Sequence, residues 1–168
     1  MTPDQEGEMT LLTPFKLTPL GLFHTLVSVV CVVLAFVALY QDHAVSPHTP
    51  IGRAYLISLW ITTLTGFAIF RHGKAGPPHI LGVLTVVALL VAALAGLTGA
   101  FGRAASTVET VSYSLTVLLL MIPTVTETLT RVPPSRPWVS GPDAPIFRAI
   151  YSLLFVLFLV GVTLQVRG

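Results

Sequence analysis

The chain has 168 residues, 54% of them hydrophobic and only 10% charged, with a formal net charge of +2. A soluble domain carries about a quarter charged residues, so this composition, with a mean hydropathy of +0.85, excludes an ordinary soluble globule. The nine Lys and Arg are scattered through loops rather than gathered in a stripe, which excludes a nucleic-acid partner.

Residues 1–19 form a polar and interfacial tail, with Asp4, Glu6, Glu8 and Lys16. The remainder, residues 20–168, reads as a single transmembrane helical-bundle domain. The first apolar run, Leu20 to Tyr40, is long enough to cross a hydrocarbon core of about 30 Å. Its acidic approach and its length argue for a retained helix rather than a cleaved signal peptide. Cys31, the one cysteine, lies inside this run, so no disulfide forms within the chain and the thiol reads as packing.

A polar turn, Gln41 to Arg53, leads to a shorter second span, Ala54 to Phe70, that carries Thr62, Thr63, Thr65 and Gly66. His48 ahead of Gly52 and Arg53 reads as a turn residue capping this helix, and Arg53 and Tyr55 as interface anchors. A basic turn from Arg71 to Pro78 precedes the third span, His79 to Phe101. There Ala88, Ala92, Gly96 and Ala100 recur every fourth residue, the pattern that lets membrane helices approach closely.

The fourth span, Glu109 to Thr130, contains Pro123, which predicts a kink because it has no N–H to donate. Threonines at 124, 126, 128 and 130 are placed to satisfy the freed backbone groups. A Pro-rich loop with Trp138 follows, then a uniformly apolar last span, Ile146 to Val166. The fold expected is therefore all-α, a polytopic membrane helix bundle of about five transmembrane helices, a four-helix core plus one.

Lys16, Arg71, Lys74, Arg131, Arg136 and Arg148 fall on one side of this topology, and Arg53, Arg103 and Arg167 on the other. The positive-inside tendency then predicts a cytoplasmic N-terminus in a bacterial inner membrane. His24, His72, His79, Glu127 and Arg131 lie toward the inner face. His43, His48, Arg53, Arg103 and Glu109 lie toward the outer face, where His48, Arg53, Tyr55 and Glu109 make up a polar cluster. His48 and His79 end on opposite faces and cannot share a metal ion. No pair of ligands within a span has metal spacing, so no metal site is expected.

An ionisable side chain inside a span is costly unless paired. Glu127 stands near the end of the fourth span with Arg131 at i+4 on the same face, which reads first as an interfacial ion pair. The functional reading joins Glu127 to His79 as a proton- or ligand-handling pair, with a proton, a quinone or haem b as the ligand. Haem would need two facing histidines, and His24 with His79 is the pair the sequence offers. The chain carries no phosphate loop, no nucleophile elbow and no zinc-protease motif, so the first expectation is a non-enzymatic structural or accessory subunit. Its partners would be the lipid bilayer and other membrane subunits or a second copy of itself. A lipid-acting enzyme would need a nucleophile and base that these residues do not assemble.

Taken together, H-x-x-x-G-R-x-Y (His48, Gly52, Arg53, Tyr55), G-P-P-H-x-L (Gly76 to Leu81) and P-T-V-T-E-T-L-T-R (Pro123 to Arg131) resemble a group of small bacterial membrane proteins, the domain of unknown function 2306. The resemblance covers Pro47 to the C-terminus and implies a multi-pass inner-membrane protein, with no activity attached. Members of that broader group carry a further histidine before the fourth helix. Here Ala104, Ala105, Ser106 and Thr107 stand in its place, with Glu109 the nearest ionisable group.

Overall fold

A computed structural model describes residues 18–69 and 76–167. These residues form five long helices: α1 (Pro19–Gln41), α2 (Pro50–Phe67), α3 (Pro77–Thr98), α4 (Ala105–Arg131) and α5 (Ile146–Arg167), with a 3-10 turn, Gly102–Ala104, leading into α4. Among the described residues there is no strand. The expected N-terminal tail and the turn after α2 fall mostly outside them.

Two helices begin with the same device. Thr18 and Thr49 each accept a hydrogen bond at 3.1 Å, from the N–H of Gly21 and of Gly52, and each is followed by proline at the first helical position. The threonine satisfies one orphan donor of the first turn, and proline there has no N–H to leave unsatisfied. Thr49 rather than His48 is thus the cap of α2, and the helix starts four residues before the apolar run. Prolines, Pro77 and Pro78, also open α3, behind Gly76 in place of a threonine cap, and Gly99 closes it in the left-handed conformation at φ 63°. That stop leaves Ala100 beyond the helix and exposed, Gly96 is exposed too, and of the expected stripe only Ala88 and Ala92 are buried.

Four of the helices, α1, α3, α4 with its 3-10 turn, and α5, are long and apolar enough to cross a membrane. The chain is therefore a multi-pass membrane protein. α2 falls short of that apolarity because it carries Arg53, Ser58 and three threonines. Apart from Arg53, which is exposed, its polar residues turn toward protein: Tyr55, Ser58, Thr62 and Thr63 are buried. At about 1.5 Å per residue its 18 residues still extend roughly 27 Å.

The chain runs up and down, with α1 and α2 packed as one antiparallel hairpin and α3 and α4 as another. α2 meets α3, a thinner contact joins α1 to α4, and α5 lies outside this four-helix core against α4. Small side chains set the close approaches. Cys31, Ala35 and Ala38 of α1 are fully buried, as is Ala92 of α3, and Ala88 and Ala95 nearly so. Where helices gain little from hiding apolar surface from lipid, such residues let backbones come close enough for dispersion and hydrogen bonds to act. Gly52 is the extreme case, since a Cβ there would lie 1.9 Å from the Ser46 carbonyl oxygen.

Pro123 is accommodated inside α4, which stays helical through it. Thr124, Thr126 and Thr130 donate to the carbonyls of Leu120, Ile122 and Thr126, each one turn back. The Leu119 carbonyl, which loses its partner to Pro123, is not among these acceptors.

Candidate functional site

The near end of the bundle, where α1 begins, gathers His24, the end of α2, the start of α3 and the end of α4. His24 lies on α1 with its Nδ1 2.9 Å from Thr65 Oγ1. Thr65 donates its own proton to the Ile61 carbonyl at 2.8 Å, so it accepts from His24, and the imidazole carries its proton on Nδ1. Gly66 makes this possible, because a Cβ there would stand 3.3 Å from the ring. Burial, a tautomer-fixing hydroxyl and a glycine notch together hold His24 in one orientation. Sequence reasoning placed His24 at this end without its partners, although Thr65 and Gly66 are neighbours in a Thr-rich run.

His79 is the third residue of α3, and its Nδ1 accepts from the Gly76 N–H at 3.2 Å. A side chain at that position reaching back to the cap N–H is half of a capping box. Neutral His79 then carries its proton on Nε2. Its ring lies 6.4 Å, centroid to centroid, from Phe67, which packs over Gly82. Glu127 and Arg131 form the i, i+4 ion pair, and both side chains are more than one-third exposed. An exposed pair of this kind contributes at most about 1 kcal/mol.

His24 and His79 lie against successive residues of α2, on helices that do not pack against one another. Among the described residues no three His, Cys, Asp or Glu side chains gather as metal ligands would.

The centre of the bundle is more polar than expected. Tyr55 is fully buried, with its hydroxyl 2.9 Å from Thr116 Oγ1, and Thr116 is fully buried too. Thr116 donates to the Tyr113 carbonyl at 2.6 Å, so Tyr55 is the donor of the pair. Tyr55 reaches from α2 to α4 and ties together helices that otherwise make little backbone contact. Beside it, Ser58 Oγ and the Cys31 thiol both point to the Tyr55 carbonyl, at 2.8 and 3.9 Å. The thiol is fully enclosed and acts as packing. Tyr55 is therefore a core residue and not the interface anchor its place beside Arg53 implied.

The far end holds the remaining residues of the expected outer cluster. His48 and Arg53 are exposed. Glu109 sits in a notch on α3, with its carboxylate where a Cβ of Gly96 would be, at 2.5 Å. Gly96 thus makes room for a carboxylate rather than for a helix backbone. His48, Arg53, Tyr55 and Glu109 do not converge on one point.

No family model matches the chain, and neither a curated protein nor a solved structure matches it.

What the arrangement can do follows from its parts. The near end has two imidazoles of fixed tautomer and an ion pair, the centre has hydroxyls serving as interhelical glue, and the far end has a carboxylate in a groove. α5 stands apart from all of these. Phe147 is its one buried residue. Two polar contacts, Tyr151 with Thr126 at 2.6 Å and Ser114 with Gln165, hold its two ends to α4.

Proposed function

We propose that this chain is a non-enzymatic accessory subunit that works by packing against other membrane helices, in a bacterial inner membrane with its N-terminus cytoplasmic. The observation that carries this reading is α5, a 22-residue helix with a single buried residue. Its exposed face places Ala149, Ser152, Val156 and Thr163 at helical spacing. Small and hydroxyl side chains on a membrane helix favour a helix neighbour. The cytoplasmic assignment rests on the excess of Lys and Arg on the near-end side. Kinship with the domain of unknown function 2306 rests on the three motifs, within which Gly52 answers to a backbone contact and His79 to a helix cap.

The test is disulfide trapping in native membranes with Val156→Cys on α5, Cys31 being enclosed and silent. Crosslinked species of defined mass, together with a complex larger than the monomer in mild detergent, are expected. A monodisperse lone monomer with no trapped species overturns the proposal.

A second reading, a proton or quinone carrier using His79 and Glu127, has one observation in its favour: both residues stand at the same end of the closely packed α3–α4 pair. For that reading Glu127→Gln must change activity far more than Arg131→Ala. Equal small effects leave only an anchoring ion pair.

A further inference from the structure

The α3–α4 seam carries an outward-facing groove of about 250 Å³, lined by Leu84, Val87, Ala88 and Val91 on one side and Ser112, Leu115 and Leu119 on the other. Each side spans two helical turns, about 10 Å of depth, which fits within one leaflet of a hydrocarbon core of about 30 Å. Two features set it apart from an ordinary lipid-facing furrow. Ser112 is only 7% exposed, lines the groove, and among the described residues makes no hydrogen bond. One turn further toward the far end, at i−3 on the same helix face, stands Glu109. Its carboxylate fills the Gly96 notch of the same seam, and among the described residues it makes no hydrogen bond or ion pair. Arg53, Arg103 and Arg167, the basic residues at this end, are exposed and among the described residues take no part in an ion pair. The groove therefore presents an apolar floor, a hydroxyl at its upper rim and a negative charge at its mouth.

We infer that this groove is a binding site for an aminophospholipid. One acyl chain lies between α3 and α4, the Ser112 hydroxyl donates to an ester carbonyl, and the Glu109 carboxylate takes the headgroup ammonium. An apolar surface alone would accept any chain. The unpaired carboxylate selects a cationic head and disfavours an anionic one through like-charge repulsion. The Ser112 hydroxyl, which opens to the groove without a partner among the described residues, gains one. The site uses residues of α3 and α4 only, so it stands or falls independently of the partner face on α5.

The experiment is native mass spectrometry of the full chain in mild detergent, titrated in parallel with phosphatidylethanolamine and phosphatidylglycerol of matched chains. Wild type is expected to retain phosphatidylethanolamine about threefold to tenfold better, the scale of one charge-assisted hydrogen bond at a partly wet site. Glu109→Gln, nearly isosteric, is expected to abolish the preference, and Glu109→Lys to reverse it. Ala88→Leu fills the floor and is expected to lower retention of both lipids. Circular dichroism of each variant guards against loss of fold, and Glu109→Gln alone suffices if Ala88→Leu does not fold. Equal retention of the two lipids by wild type, or a preference that survives Glu109→Gln, overturns the proposal.

Discussion

Gly52 offers the sharpest test of how the bundle is built. It is buried in the first turn of α2, and a Cβ there would stand 1.9 Å from the Ser46 carbonyl oxygen and 2.8 Å from its carbon. These are backbone atoms, so no side chain can swing aside. Gly52→Ala forces the 46–49 turn to retreat by more than about 1 Å, an overpacking that costs about 1–3 kcal/mol. The Ser46 carbonyl also accepts from the Thr49 N–H and from its hydroxyl, each at 3.4 Å. Thr49 is the helix cap, so moving Ser46 loosens a cap worth about 1 kcal/mol. Against this, alanine gains about 1 kcal/mol of helix propensity. The net expectation is destabilisation by about 1–3 kcal/mol. Gly161 on α5 supplies the internal control, because a Cβ there meets nothing within 4 Å. Gly161→Ala keeps the propensity gain without the clash and should be neutral to stabilising. Thermal unfolding in detergent, followed by Trp60 and Trp138 fluorescence, compares the two. Equal midpoints for both variants would refute the close approach at Gly52.

Further perturbations address other contacts. Thr116→Val removes the acceptor of the buried Tyr55 hydroxyl and should cost about 0.6–2 kcal/mol, the range for hydrogen bonds between membrane helices. A double-mutant cycle with Tyr55→Phe should show coupling, and strict additivity would count against the bond. His43 lies in the left-handed region at φ 59° just past the end of α1, so His43→Gly should stabilise by about 1 kcal/mol in the same melts. Tyr151→Phe combined with Gln165→Leu removes both polar ties between α5 and α4, and hydrogen exchange should rise in α5 and not in α2. Gly96→Ala displaces only the end of the Glu109 side chain, so its melting midpoint should stay near wild type while phosphatidylethanolamine retention falls.

The helices were legible from composition because lipid imposes long apolar runs, and α1, α3, α4 and α5 came out within a few residues of them. Their starts were legible too, but in a different signal. Thr18-Pro19 and Thr49-Pro50 are cap-plus-first-turn pairs, and reading apolarity alone placed the α2 boundary four residues late. The membrane logic failed for Tyr55, where an aromatic beside an arginine reads as an interface anchor but the side chain turns inward to Thr116. Periodicity along one helix does not reveal a partner 61 residues away. The same limit applies to Gly96. Its place in a stripe with Ala88 and Ala92 reads as a helix contact, yet what occupies the notch is the Glu109 carboxylate, which spacing within α3 cannot foretell. His24 reads in the sequence only as one of a pair of haem ligands, whereas the structure sets it against Thr65 and Gly66. In each case the residue type announced a constraint, and only the packing of a second helix identified what imposed it. This is the condition expected when small and hydroxyl side chains hold a bundle together, because their contribution lies wholly between helices.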